Sequence, residues 1–211
     1  LLRTIKAHQA APDVLVPACA ALVNITVDTD NQKRAGDAGA IEDLLRTIKA
    51  HQAAPDVLAE ACAALGNITV DTDNQKRAGD AGAIEDLLRT IKAHQAAPDV
   101  LVPACAALVN ITVDTDNKKR AGDAGAIEDL LRTIKAHQAA PDVLVEACAA
   151  LRSITVDADN QKRAGDAGAI EDLLRTIKAH QAAPDVLVPA CAALVNITVD
   201  TDNKKRAGDA G

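Results

Sequence analysis

The hexapeptide LLRTIK opens the chain at Leu1 and returns at Leu44, Leu87, Leu130 and Leu173. The residues between return with it, so the chain is five near-copies of one 43-residue unit. A period of about 20–50 residues marks a stacked array, because a single unit cannot bury its apolar face alone. Near-identical copies place one group at successive steps along an axis. Catalysis instead needs unlike groups converging on a point. The expectation is a binding or structural protein, not an enzyme, with no cofactor and no metal.

The core has an unusual palette. The chain contains no Phe, Trp, Tyr or Met, so Leu, Ile, Val, Ala and Cys must fill its interior. Small side chains suit closely stacked helices. They bury little area each, so stability should grow with copy number. The net charge of −7 disfavours nucleic acid, which needs a basic face, and suits a cationic or neutral partner. No apolar run approaches the roughly 20 residues of a membrane span, so no membrane partner is expected. The first copy lacks the AIED that precedes LLRTIK elsewhere, and the last stops at Gly211. This reads as a slice of a longer array with uncapped ends, for which end-to-end self-association is expected.

Each copy predicts three helices. In the segment 40–49, Ile41, Leu44, Leu45 and Ile48 fall at i, i+3, i+4 and i+7, one apolar stripe. Lys49 and His51 lie at its C-terminal end, where cations are favoured. Pro55-Asp56 opens the next helix, since proline fits the first helical position and aspartate its positive end. That helix is predicted to run through about Val70, with Leu58, Ala61, Cys62, Leu65 and Ile68 inward. A short helix over Asn74–Ala78 follows, closed by Gly82.

The motif Asn-x6-Ala-Gly-Ala-Ile, then Leu-Leu, then Ala-Cys-x-Ala-Leu-x-Asn-Ile, resembles the armadillo repeat over all 211 residues. The HEAT repeat is its near neighbour but has two helices and lacks that last Asn. In the family's helix order, complete units span 29–71, 72–114, 115–157 and 158–200. Residues 1–28 form a partial unit and 201–211 another, all in a single array. The resemblance implies an all-α, right-handed α-solenoid, an armadillo-type superhelix whose third helices line a concave groove. It also implies that an Asn near the end of helix three hydrogen-bonds the main chain of an extended peptide. Those positions are Asn24, Asn67, Asn110 and Asn196, with Ser153 in the fourth copy. One carboxamide both donates and accepts, so it can pair with a peptide N–H and C=O at once. Where peptide-binding members often carry Trp, this chain has Ala20, Ala63, Ala106, Ala149 and Ala192, so the groove has no aromatic walls.

The copies differ in six columns, four of them on helix three. These are Val16 (Ala59), Pro17 (Glu60, Glu146), Val23 (Gly66, Arg152) and Asn24 (Ser153). The other two are Thr29 (Ala158) and Gln32 (Lys118, Lys204). Residues 17, 20, 24 and 28 share one helical face, so the differences touch the groove more than the core. The acidic groove residues are Asp28, Asp71, Asp114, Asp157 and Asp200, with Glu60 and Glu146. They favour Lys and Arg in the ligand.

Other features point to structure. The five cysteines occupy one column. Packed helices sit about 8–10 Å apart, beyond disulfide reach, so all five are expected as buried small hydrophobes. Unpaired thiols suggest a reducing compartment, hence a cytoplasmic or nuclear location. One His per copy offers no second metal ligand and reads as a helix-end residue. The Asn-Ile-Thr sequons lie inside helices. Gly36-x-x-Gly39 lacks a phosphate loop's Gly-Lys-Ser/Thr ending and reads as a helix terminator. The functional expectation is a protein–protein interaction scaffold binding an extended, basic peptide. The alternative is a structural spacer or self-associating array. Pro17, Pro103 and Pro189, inside helix three, support that alternative because each removes a hydrogen bond and should bend the helix.

Overall fold

Residues 1–210 are described by the computed structural model; Gly211, the end of the expected partial unit 201–211, lies outside the described residues. They form fifteen helices and no strand. Two compact units result, residues 1–117 and the described residues from 118 onward. The first holds α1 (Leu2–Ala7), α2 (Pro12–Ile25), α3 (Thr29–Asp37), α4 (Ala40–Ala50), α5 (Pro55–Ile68), α6 (Thr72–Asp80), α7 (Ala83–Ala93) and α8 (Pro98–Ile111). The division falls within α9 (Thr115–Asp123). The second holds α10 (Ala126–Ala136), α11 (Pro141–Ile154), α12 (Ala158–Asp166), α13 (Ala169–Ala179), α14 (Pro184–Ile197) and α15 (Thr201–Ala210). The helices come in threes, as in armadillo-type repeats.

Local chemistry sets the helix bounds. The Asp71 side chain accepts from Asn74 N at 3.0 Å, satisfying one of the four orphan N–H groups at the start of α6. This cap lengthens the first helix of the copy to Thr72–Asp80, beyond the predicted Asn74–Ala78. Beyond its C-cap Ala81, Gly82 at φ 83° in the left-handed region turns the chain, and α7 starts at the next residue. Gly36 departs from expectation. It lies buried inside α3, while Gly39 alone (φ 80°) makes the turn. Pro55 stands at the first position of α5, which stops at Ile68 and not near Val70. There the Thr69 hydroxyl donates to Leu65 O at 2.9 Å, occupying a terminal carbonyl.

Burial follows the predicted periodicity. Ile41, Leu44 and Ile48 are fully buried and Leu45 nearly so. Leu58, Ala61, Cys62, Leu65 and Ile68 are fully buried on α5. Each large aliphatic side chain contributes about 1.5–3 kcal/mol relative to exposure. Third helices stack on one another within each unit: α2 on α5 and α5 on α8 in the first, α11 on α14 in the second. The helices containing Pro17, Pro103 and Pro189 keep the same 14-residue extent as those with Glu60 and Glu146. The prolines do not interrupt them.

Polar side chains tie neighbouring copies together. Asn74, 1% exposed, donates its carboxamide to Ile68 O at 3.1 Å and to Gln32 O of the preceding copy at 2.9 Å. Asn117 repeats this in the first unit, and Asn160 and Asn203 in the second. The carboxamide lies where a Cβ on Gly36 would stand, so Gly36, and likewise Gly79, Gly122 and Gly165, must be glycine for close approach, not for a turn. Buried Asp86 meets Arg89 of its own helix at 3.2 Å and Lys49 of the preceding copy at 3.1 Å. Asp172 does the same with Arg175 and Lys135. The helix-end histidines join in: His51, His94 and His180 place Nε2 at 2.6–2.8 Å from the carbonyls of Gln9, Gln52 and Gln138. A carbonyl only accepts, so each Nε2 carries the proton.

Candidate functional site

On α5 residues left outside the core fall at Asp56, Ala59, Glu60, Ala63 and Asn67, with Val70 and Asp71 in the turn that follows. Steps of three and four residues put them on one helical face. The equivalent strip on α8 runs from Asp99 through Ala106 to Asn110, with Asp114 just beyond the helix. In the second unit, α11 carries Asp142, Glu146, Ala149 and Ser153, followed by Asp157, and α14 carries Asp185, Ala192 and Asn196, followed by Asp200. Within each unit the third helices are adjacent, so their strips lie side by side. The floor is alanine and valine, with carboxylates at both ends.

The asparagines are oriented by the protein itself. Asn67 Nδ2 donates to Val23 O at 3.0 Å, and Asn110 Nδ2 to Gly66 O at 2.9 Å. In the second unit Asn196 Nδ2 donates to Arg152 O at 2.9 Å. Each acceptor lies in the last turn of the preceding third helix, where carbonyls lack intrahelical partners. One amide N–H is thereby used, and the second N–H and the Oδ1 remain for another partner. Asn24 is exposed and makes no such bond, and Ser153 offers a hydroxyl at its place.

The acidic column has a structural duty that sequence reasoning missed. Asp28, Asp71, Asp114, Asp157 and Asp200 each accept from a backbone N–H three residues on, at 2.9–3.1 Å. They are N-caps of the following helix. The signal was present: aspartate three residues before the buried Asn, at the foot of a helix. Sequence reasoning also left out the first-turn aspartates Asp13, Asp56, Asp99, Asp142 and Asp185 as groove residues. All five are exposed at the opposite end of the strip. In the first unit, Asp13 and Asp56 flank a hollow of about 380 Å³ between the starts of α2 and α5, with Val16, Pro17, Pro55 and Val57. A larger hollow of about 550 Å³, against α10 and α12, is lined by Glu128, Arg132, Lys135, Arg163 and Asp166. Its cations already pair with Asp129, Asp172 and Asp123, and no third-helix residue lines it.

Glu146 is half-buried, and burial raises its carboxyl above the usual range. Glu60 acts on a neighbour: the Cys19 thiol is pushed up to about 12, by burial first and then by the Glu60 charge. Burial also raises Cys62 and Cys148 to about 12. Four cysteines are buried as expected, but Cys191 is exposed. It lies on α14, which in the second unit has a third helix, α11, against one side only. Among the described residues no three His, Cys, Asp or Glu side chains gather as a metal site, and no helix is long and apolar enough to cross a membrane.

Comparisons with known proteins agree with this geometry. Residues 24–210 match the family model described as LRRK2 ARM repeat. No curated protein matches the sequence. Two engineered proteins solved by the Northeast Structural Genomics Consortium are similar in structure, both with a TM-score of 0.89. They are 28% and 27% identical; each alignment covers 100% of this chain, and 86% and 84% of theirs respectively. A computationally designed armadillo repeat protein for modular peptide recognition is 24% identical with a TM-score of 0.86, covering 100% of this chain and 88% of its own, and shares the fold.

Proposed function

The chain belongs to the armadillo-repeat family, and on that premise we propose that its third-helix strips hold an extended, basic peptide. The observation that carries the reading is the carboxamide row. Asn67 and Asn110 are each anchored by one bond to the preceding helix, leaving a donor and an acceptor at a fixed step along the unit. A peptide backbone offers the complementary pair at every residue. Pre-orientation lowers the entropy lost on binding. Carboxylates at both ends of each strip favour Lys and Arg in the ligand, while alanines leave room for the backbone to approach. The scaffold acts by holding a partner and carries out no reaction.

A second reading, a structural spacer, is favoured by one observation. The Asp28-type carboxylates cap helices and the Asn amides tie neighbouring copies, so both columns have structural work without a ligand. Arrayed peptides presented to the full chain separate the two readings. The groove reading expects capture of Lys- and Arg-rich extended sequences. Replacing Asn67 and Asn110 together by Ala should weaken that binding roughly five- to a hundredfold in titration calorimetry, at about 0.5–1.5 kcal/mol per bond. The circular-dichroism spectrum should stay helical. Unchanged affinity in the double variant refutes the groove reading.

A further inference from the structure

Arg152 is singular. The residue before the ladder position is Val23, Gly66, Val109 or Val195 in the other copies, and arginine only here. It is exposed on α11, and among the described residues no hydrogen bond or ion pair engages its guanidinium. Its carbonyl accepts from Asn196 Nδ2 at 2.9 Å, so Arg152 and a ladder residue stand together across the seam between α11 and α14. The first unit shows where side chains in this column go. A Cβ on Gly66 would lie 3.4 Å from the Ala107 backbone, in ordinary contact with the next third helix. The column therefore faces the next third helix, at the seam between the two. The matching alanine beside Arg152 is Ala193, which is fully buried.

The nearby carboxylates do not neutralise it. Glu146 stands six residues earlier on α11, more than a turn away. Asp157 and Asp200 accept from the backbone N–H groups of Asn160 and Asn203. A guanidinium is a planar fork of donors that fits a carboxylate with two parallel bonds, and it repels an ammonium.

We propose that Arg152 reverses the charge preference at one step of the second unit: beside Asn196 the strip takes an acidic residue of the ligand, Asp or Glu. The matching steps at Val23, Gly66 and Val109 take neutral or basic residues. Arg152 thereby sets the register of an otherwise repetitive surface. This inference rests on the peptide-binding reading above.

The test uses the full chain and a labelled peptide of about twelve residues alternating Lys and Ser, with a single Glu walked through its Lys positions. Fluorescence anisotropy at low salt reads affinity. One Glu position should bind about two- to fivefold more tightly than its neighbours, the range of an exposed ion pair. Arg152→Val, which installs the residue of three sister copies, should erase that preference. Arg152→Glu should turn it into a preference for Lys. A flat walk, or a walk whose pattern survives in Arg152→Val, overturns the inference while the peptide-binding reading stands. If no peptide of the set binds, both fall.

Discussion

Replacing Asn74 by Ala removes two hydrogen bonds at once, to Ile68 O and Gln32 O, from a side chain that is 1% exposed. The Ile68 carbonyl at the end of α5 is left without a partner, at about 1–3 kcal/mol, while Gln32 O inside α3 keeps its helical bond and loses a second one worth about 0.5–1.5 kcal/mol, so the loss should be about 2–4 kcal/mol. Gly36→Ala taken alone should also destabilise, because its methyl overlaps the same carboxamide, and overpacking typically costs about 1–3 kcal/mol. The two changes made together behave differently. The Gly36 methyl enters the space the carboxamide vacated, and alanine is better by about 1 kcal/mol than glycine inside a helix. The double variant should therefore be at least 1–2 kcal/mol more stable than the sum of the singles. Urea unfolding followed by circular dichroism at 222 nm measures the cycle, fitted with a nearest-neighbour model because repeat arrays need not unfold in two states. Additivity within about 0.5 kcal/mol would refute the reasoning, since uncoupled sites behave that way.

Two further outcomes concern charge and thiols. Association with a basic peptide should slow as ionic strength rises, because the Debye length shrinks from about 10 Å at 0.1 M salt to about 3 Å at 1 M; stopped-flow rates indifferent to salt would contradict the acidic strip. At neutral pH, maleimide should label Cys191 rapidly and the four buried cysteines only after unfolding in guanidinium, read by mass spectrometry. The same thiols link stability to alkali. Cys19, Cys62 and Cys148 titrate near 12 when folded and near 9 when unfolded, so their contribution is complete below about pH 9 and is lost as pH rises toward 12. A midpoint in urea that does not fall between pH 9 and 11 would contradict their burial.

Periodicity made the helices and the core legible. Ile41, Leu44, Leu45 and Ile48 are buried because a 3.6-residue stripe has only one way to leave water. Gly82 and Pro55 announced their roles because few other residues suit those backbone positions. The joints between copies were illegible. Nothing in one copy says that Asn74 sits against Gly36, since that contact exists only once two copies are stacked. The candidate strip was legible by resemblance in its asparagines and only partly in its acids. A carboxylate at a helix foot reads equally as cap and as ligand group, and the Asp28 column accepts capping bonds. Cys191 departs from its column because sequence identity fixes chemistry, while burial depends on what packs alongside.

The acceptors in these joints are main-chain oxygens. Val23, Gly66 and Arg152 receive the bond from the next copy's asparagine equally well, as do Gln32, Gln75, Lys118 and Gln161 one helix away. The Asn74 column keeps its carboxamide in every copy and the ladder column keeps it everywhere but at Ser153, whereas any residue can supply the oxygen. The columns that receive are therefore at liberty to change, and two of the six that differ among the copies are receiving columns. A joint of this kind separates cohesion from the choice of outward side chain, so each copy can acquire its own surface while remaining interchangeable with its neighbours as a building part.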